Sequence, residues 1–172
     1  LVHAWTVTVN NVQGALKAQL FLSSAFMTVA VVPLVWLLPA TFTFPRADGS
    51  LLEVARISAF GCVCSGLWSG LVIGFVTEYF TSNRYSPTKG LAEACKNGPA
   101  PNIIQGLALG YQSCVIPILM IAGTIAYSFK IAGMYGIGLA PLGMLGSLPV
   151  ALTIDGYGPI SDNAGGVAEM SE

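Results

Sequence analysis

Residues 97–154 read NGPAPNIIQGLALGYQSCVIPILMIAGTIAYSFKIAGMYGIGLAPLGMLGSLPVALTI, and Lys130 is the sole charge among them. About 20 helical residues rising ~1.5 Å each cover a hydrocarbon core of ~30 Å, so this stretch is too long for one crossing and long enough for two. The chain is therefore expected to reverse near Lys130, helped by Gly133 and Gly136. Tyr127, Phe129 and Tyr135 cluster at that reversal, where aromatic side chains favour the boundary between lipid and water.

The same pattern extends outward. No Asp, Glu, Lys or Arg occurs in 18–45, 57–77, 97–129 or 131–154, runs of 28, 21, 33 and 24 residues. Of 172 residues only 9% are charged and 54% are hydrophobic, against about 25% charged in a soluble domain. A soluble globule has nothing polar here with which to enclose four such runs, and disorder needs the opposite balance of hydrophobicity and charge. The net charge of −1 supplies no basic footprint for phosphate backbones, which excludes nucleic acid as a partner and leaves the lipid bilayer. The fold class expected is an all-α membrane protein, with four transmembrane helices near 17–40, 57–82, 102–129 and 131–163. Leu1 opens the sequence without a basic, apolar leader, and the whole reads as an internal fragment of a larger membrane protein.

The segments between the runs are punctuated. Pro33 and Pro39 kink or end the first helix, with Trp36, Phe42 and Phe44 at its far end. Pro45 to Arg56, carrying Arg46, Asp48 and Glu53, reads as a solvated turn region. Gly66, Gly70 and Gly74 recur at four-residue spacing in the second helix, which predicts one smooth face for a neighbouring helix. In the polar stretch 83–101, Ser86 before Pro87 has the form of an N-cap, and a short surface helix near 87–96 follows. Asn102, with Gln105 three residues on, has the form of a capping box for the third helix. Lys17 and the loop with Arg84, Lys89 and Lys96 share one side; Arg46, Arg56 and Lys130 lie opposite, which places 83–101 in the cytosol. The four cysteines, at 62, 64, 95 and 114, have no metal-binding spacing and read as free thiols.

Chemistry concentrates after the fourth run. Residues 155–170 read DGYGPISDNAGGVAEM, joining carboxylates to four glycines at the mouth of a membrane helix, where ionisable groups are costly and hence functional candidates. Asp155, Asp162 and Glu169 are seven apart, so a continuous helix aligns them in one stripe about 10 Å from one to the next. Two of them cannot ligate one Mg²⁺, whose bonds are ~2.1 Å; carboxylate plus substrate phosphate is its usual setting, and a phosphate compound is the substrate class to consider. Counting crossings, these carboxylates emerge on the side of Glu78 and the basic loop. Glu78 itself reads as a solvated charge at a helix end in preference to a member of a polar network. His3 is the lone histidine and supports no catalytic set.

The run 155–170 resembles the D-A-Y-G-P-I-S-D-N-A-G-G-I-A-E-M signature of membrane-integral inorganic pyrophosphatases. The stretches GLWSGLVIGFVTEYFTSN at 66–83 and NIIQGLALGY at 102–111 are similar to that family too, closest to its vacuolar branch. The resemblance implies a dimeric pump of sixteen membrane helices per subunit, of which this chain would be four. It implies Mg²⁺-dependent hydrolysis of pyrophosphate coupled to H⁺ transport, in a vacuolar or other acidic-compartment membrane, with potassium as a further cofactor in part of the family. By the same resemblance Asp162 is the catalytic, metal-binding aspartate, and Asp155, Glu78, Asn163 and Glu169 serve coupling or structure. Gly156 stands where the family tends to have Ala, and Pro141 and Pro149 interrupt a stretch that is usually free of proline in the family. The rival from another class is a secondary ion transporter or channel without hydrolysis, to which glycine-broken acidic helices are also suited.

Overall fold

The computed structural model describes residues 12–45 and 49–171. His3, Arg46 and Asp48, which entered the sequence reading, lie outside them. Helix α1 spans Val12–Trp36, strands β1 and β2 span Thr41–Pro45 and Leu51–Ala55, and α2 spans Arg56–Thr81. A short α3, Ser86–Cys95, precedes the long α4, Pro99–Met144; a 3₁₀ turn, Leu145–Ser147, leads into α5, Leu148–Ser171. Most of the chain is helix, and three stretches, within Gly14–Trp36, Arg56–Cys95 and Pro99–Ser171, are long and apolar enough to cross a membrane. The protein is an integral, multi-pass membrane protein.

The expectation of helices alone needs one correction. The segment read as a helix end and a solvated turn is an antiparallel hairpin, with Phe42 opposite Val54 and Phe44 opposite Leu52. The residues T-F-T-F alternate with period two, and β-branched and aromatic side chains fit a pleated surface. The short apolar run had hidden that alternation. A two-stranded hairpin is marginal in isolation, and this one is anchored: Val54 is buried with Cys62 and Ala132, and Phe42, Phe44, Leu52, Ile131 and Leu139 pack around them.

Beneath the hairpin the chain reverses. Gly133 takes φ 57° and ψ −145° and breaks α4 into limbs 99–132 and 134–144. A side chain there is strained by the backbone alone, and a Cβ would sit 2.9 Å from Leu52 Cδ2. The reversal predicted near Lys130 is thus three residues on, at the residue that tolerates it. The first limb runs antiparallel to α2, with Phe80 beside Leu109, and Ser65 beside Thr124. The second runs along α2 in the same direction, with Gly66 against Ala140 and Gly70 against Met144. A Cβ on Gly66 would collide with the Ala140 carbonyl oxygen, so the backbones touch. Gly74 has nothing within 4 Å of that position, and only two of the three predicted glycines form the packing face.

The caps also differ in detail. Tyr85 precedes α3 as its cap, with Ser86 and Pro87 already helical. Gly98, at φ 105°, precedes α4, which begins at Pro99, so Asn102 lies within its first turn. Two prolines in that turn lack N–H groups that would have had no helical acceptor, so an early start is cheap. At the other end, the fourth predicted helix is interrupted at Leu145–Ser147 and resumes to Ser171.

Candidate functional site

Lys17 lies in the second turn of α1 and Glu78 in the last turn of α2, 61 residues apart in sequence. The packing of α1 on α2 brings Lys17 Nζ to 3.1 Å from Glu78 Oε1. The same ammonium donates to Tyr85 Oη at 2.6 Å. Tyr85 is held in place because Ser82 N–H donates to the Glu78 carbonyl at 2.9 Å and Tyr85 N–H to the Ser82 carbonyl at 3.3 Å, turning the chain back at the end of α2. Tyr79 packs on the Tyr85 ring, 5.1 Å between centroids. Glu78 is therefore a member of a polar network, contrary to its reading as a solvated end charge. Both side chains are about one-third exposed, so solvent screening limits the pair to roughly 1 kcal/mol.

The junction borders a cavity of about 400 Å³ lined by Leu16, Lys17, Leu20, Gly74, Phe75, Glu78, Ser82, Ala151 and Asp155. Asp155 reaches it because α5 continues in the direction of the second limb of α4, back toward the end of the molecule where α2 finishes. Asp155 and Glu78 thus come together at one cavity, on the side of the 83–101 loop, as the crossing count predicts. Asp162, Asn163 and Glu169 do not join them: all three are exposed on the following turns of α5. The second half of α5 projects beyond the other helices, and Gly156, Gly158, Gly165 and Gly166 have open space where a Cβ would lie. Pro159 lies within α5 and lacks an N–H, so the Asp155 carbonyl is left without its helical donor.

This geometry can be set against a magnesium ion. Among the described residues no three His, Cys, Asp or Glu side chains converge. What α5 offers is single carboxylates on an exposed helix face. Mg²⁺ is commonly held by one or two carboxylates together with phosphate oxygens and water, and the carboxylates that α5 presents, Asp162 among them, are of that chemistry.

Lys17 and Tyr85 escaped the sequence reading as site residues. Lys17 entered it as an orientation charge, and no local period links positions 17, 78 and 85. The available signal was that Lys17 stands just ahead of a 28-residue run without charge, on the side assigned to Glu78.

The profile of a family described as inorganic H+ pyrophosphatase matches residues 2–172. A "Pyrophosphate-energized proton pump 2" of Rhizobium leguminosarum bv. trifolii is 32% identical over 95% of this chain and 75% of its own length. A "K(+)-stimulated pyrophosphate-energized sodium pump" of Thermotoga maritima is 42% identical over 67% of this chain and 16% of its own. A protein of Bacteroides thetaiotaomicron is 41% identical over 95% of this chain, which spans 22% of it.

Proposed function

The chain belongs to the inorganic H+ pyrophosphatase family, and from that premise we propose that it is a segment of a pump that hydrolyses pyrophosphate and moves H⁺ across a membrane. The observation that carries this reading is the match over residues 2–172, together with Asp162 on a projecting helix beside a junction of charged groups. Four crossings, near 17–40, 57–82, 102–129 and 131–163, are proposed as one part of a sixteen-helix subunit in a homodimer. The two limbs of α4 supply the third crossing and the start of the fourth, which α5 completes. The vacuolar membrane remains a proposal from the motifs, since the relatives named above are bacterial.

In this reading Asp162 faces the substrate and its carboxylate holds the magnesium that accompanies pyrophosphate, while Asn163 serves coupling or structure. When bound, Mg²⁺ supplies Lewis acidity and neutralises phosphate charge. Asp155, one side of the cavity, and Glu78, the other, flank the route between the substrate end and the membrane helices. Glu169 extends the acidic stripe. The groups that hold the attacking water are proposed to lie outside residues 1–172, because the described carboxylates do not converge. Potassium is proposed as an accessory ion, by analogy with the Thermotoga protein's name.

The test uses the full-length protein in sealed vesicles. Mg²⁺-dependent phosphate release with acid uptake in sodium-free buffer is expected. Sodium uptake without acidification overturns the choice of ion, and ion flux with no phosphate release moves the protein to the transporter class.

A further inference from the structure

The ammonium of Lys17 has three N–H donors. Glu78 Oε1, at 3.1 Å, and Tyr85 Oη, at 2.6 Å, take two. No described residue takes the third. Among the described residues Lys17 is the single basic one lining the cavity, and the carboxylate of Asp155 lines the same cavity from α5. Asp155 has no ion pair or side-chain hydrogen bond to any described residue in this arrangement, although it lines the same cavity. Among the described residues its helix is attached to the rest of the fold chiefly through the turn Leu145–Ser147. A lysine is suited to reach across such a gap, because its charge is compact and its stem has four flexible carbons.

We propose that Lys17 is a positioning residue that ties α1 to the end of α2 through Glu78 and Tyr85 and takes Asp155 as a third partner, so that this ammonium sets where the acidic helix α5 stands against the α1–α2 pair. Lys17 touches neither substrate nor metal; it acts through Asp155 and the backbone of α5. The functional part of this inference rests on the pyrophosphatase reading, and the geometric part does not.

The experiment uses the full-length protein in vesicles, with exposed Cys95 and Cys114 replaced by Ser and with Leu20→Cys and Ala151→Cys placed on opposite walls of the cavity. A short bifunctional thiol reagent then reads the separation of α1 and α5. Lys17→Met and Asp155→Asn are each expected to cut the cross-linking yield about fivefold, and the double variant no further. Lys17→Arg is expected to keep at least half the yield, and Tyr85→Phe to lose about twofold. Phosphate release should show kcat about tenfold lower in Lys17→Met with KM within twofold, restored by Lys17→Arg. An unchanged yield in Lys17→Met overturns the proposal. So does a loss in Lys17→Arg equal to that in Lys17→Met, or a double variant well below either single one. If Lys17→Met does not survive solubilisation, Asp155→Asn decides alone, because it leaves the contacts of Glu78 and Tyr85 intact and an unchanged yield refutes the third partner. If the parent protein releases no phosphate, the pyrophosphatase reading fails while the cross-linking result still stands.

Discussion

Asp162 and Gly133 place opposite demands on a side chain. Asp162 is exposed on α5, so its substitution disturbs no packing among the described residues. Asp162→Asn keeps the shape but removes the charge, and a neutral amide is a much poorer ligand for a hard cation. Turnover of the full-length protein is expected to fall by about 10²-fold or more, as when other preorganised electrostatic groups are lost; near-normal phosphate release would falsify the metal assignment. Gly133, at φ 57° and ψ −145°, strains any L side chain through its backbone, and a Cβ there would press on Leu52 Cδ2, 2.9 Å away. Gly133→Ala is expected to destabilise by about 1–3 kcal/mol, read as a lower Tm in detergent. An unchanged Tm would mean that the reversal relaxes freely. The first residue was legible from its motif. The second was legible as a glycine near a reversal, but its left-handed backbone depends on where the hairpin and the two limbs of α4 meet.

The hairpin and the loop at the other end of α2 give element-level expectations. Val54 is 1% exposed and shares its cluster with fully buried Cys62. Val54→Asp places a charge in that cluster without a partner, so the hairpin should lift and Cys62 should become reactive toward a small thiol reagent. Continued protection of Cys62 in the variant would show that the helices alone seal it. Aromatic packing supports the hairpin from one side, with Phe44 stacked on Tyr135 at 4.2 Å and Phe42 edge-on to it at 5.5 Å. These contacts also give Tyr135 a role within the fold, whereas Phe129 is exposed. The topology is tested across α2: single cysteines replacing Ser50 in the hairpin turn and Arg84 beyond Thr81 should be labelled from opposite faces of the membrane. Labelling from one face is incompatible with α2 as a crossing. Alternation in 41–45 was present in the letters, yet five residues of mixed Thr and Phe after a helix carry too little signal to outweigh the apolar run before them.

For the molecule as a whole, α5 and the outer face of α4 are largely uncovered, with Tyr111 75%, Met134 73% and Met170 83% exposed. Residues 1–172 alone are expected to release no phosphate from pyrophosphate above a metal-only control, because the described carboxylates do not converge on one ion. Turnover by the purified segment would refute the proposal that further ligands lie elsewhere. What the sequence by itself determined is the medium and the family. A shortage of charge over long runs is additive along the chain, so the bilayer needs no knowledge of packing to be inferred, and motifs such as DGYGPISDNAGGVAEM are local strings of letters. The order of helices, the reversal between Lys130 and Gly136 and the side on which Asp155 emerges followed from the same additive counting. The tertiary structure decided the rest: that 41–55 pairs as strands, that Gly66 meets Ala140 while Gly74 stays open, and that Lys17, Glu78 and Tyr85 form one junction facing Asp155. Those depend on contacts between residues tens of positions apart, whose energies come from the approach of whole helices, and no window along the chain contains them.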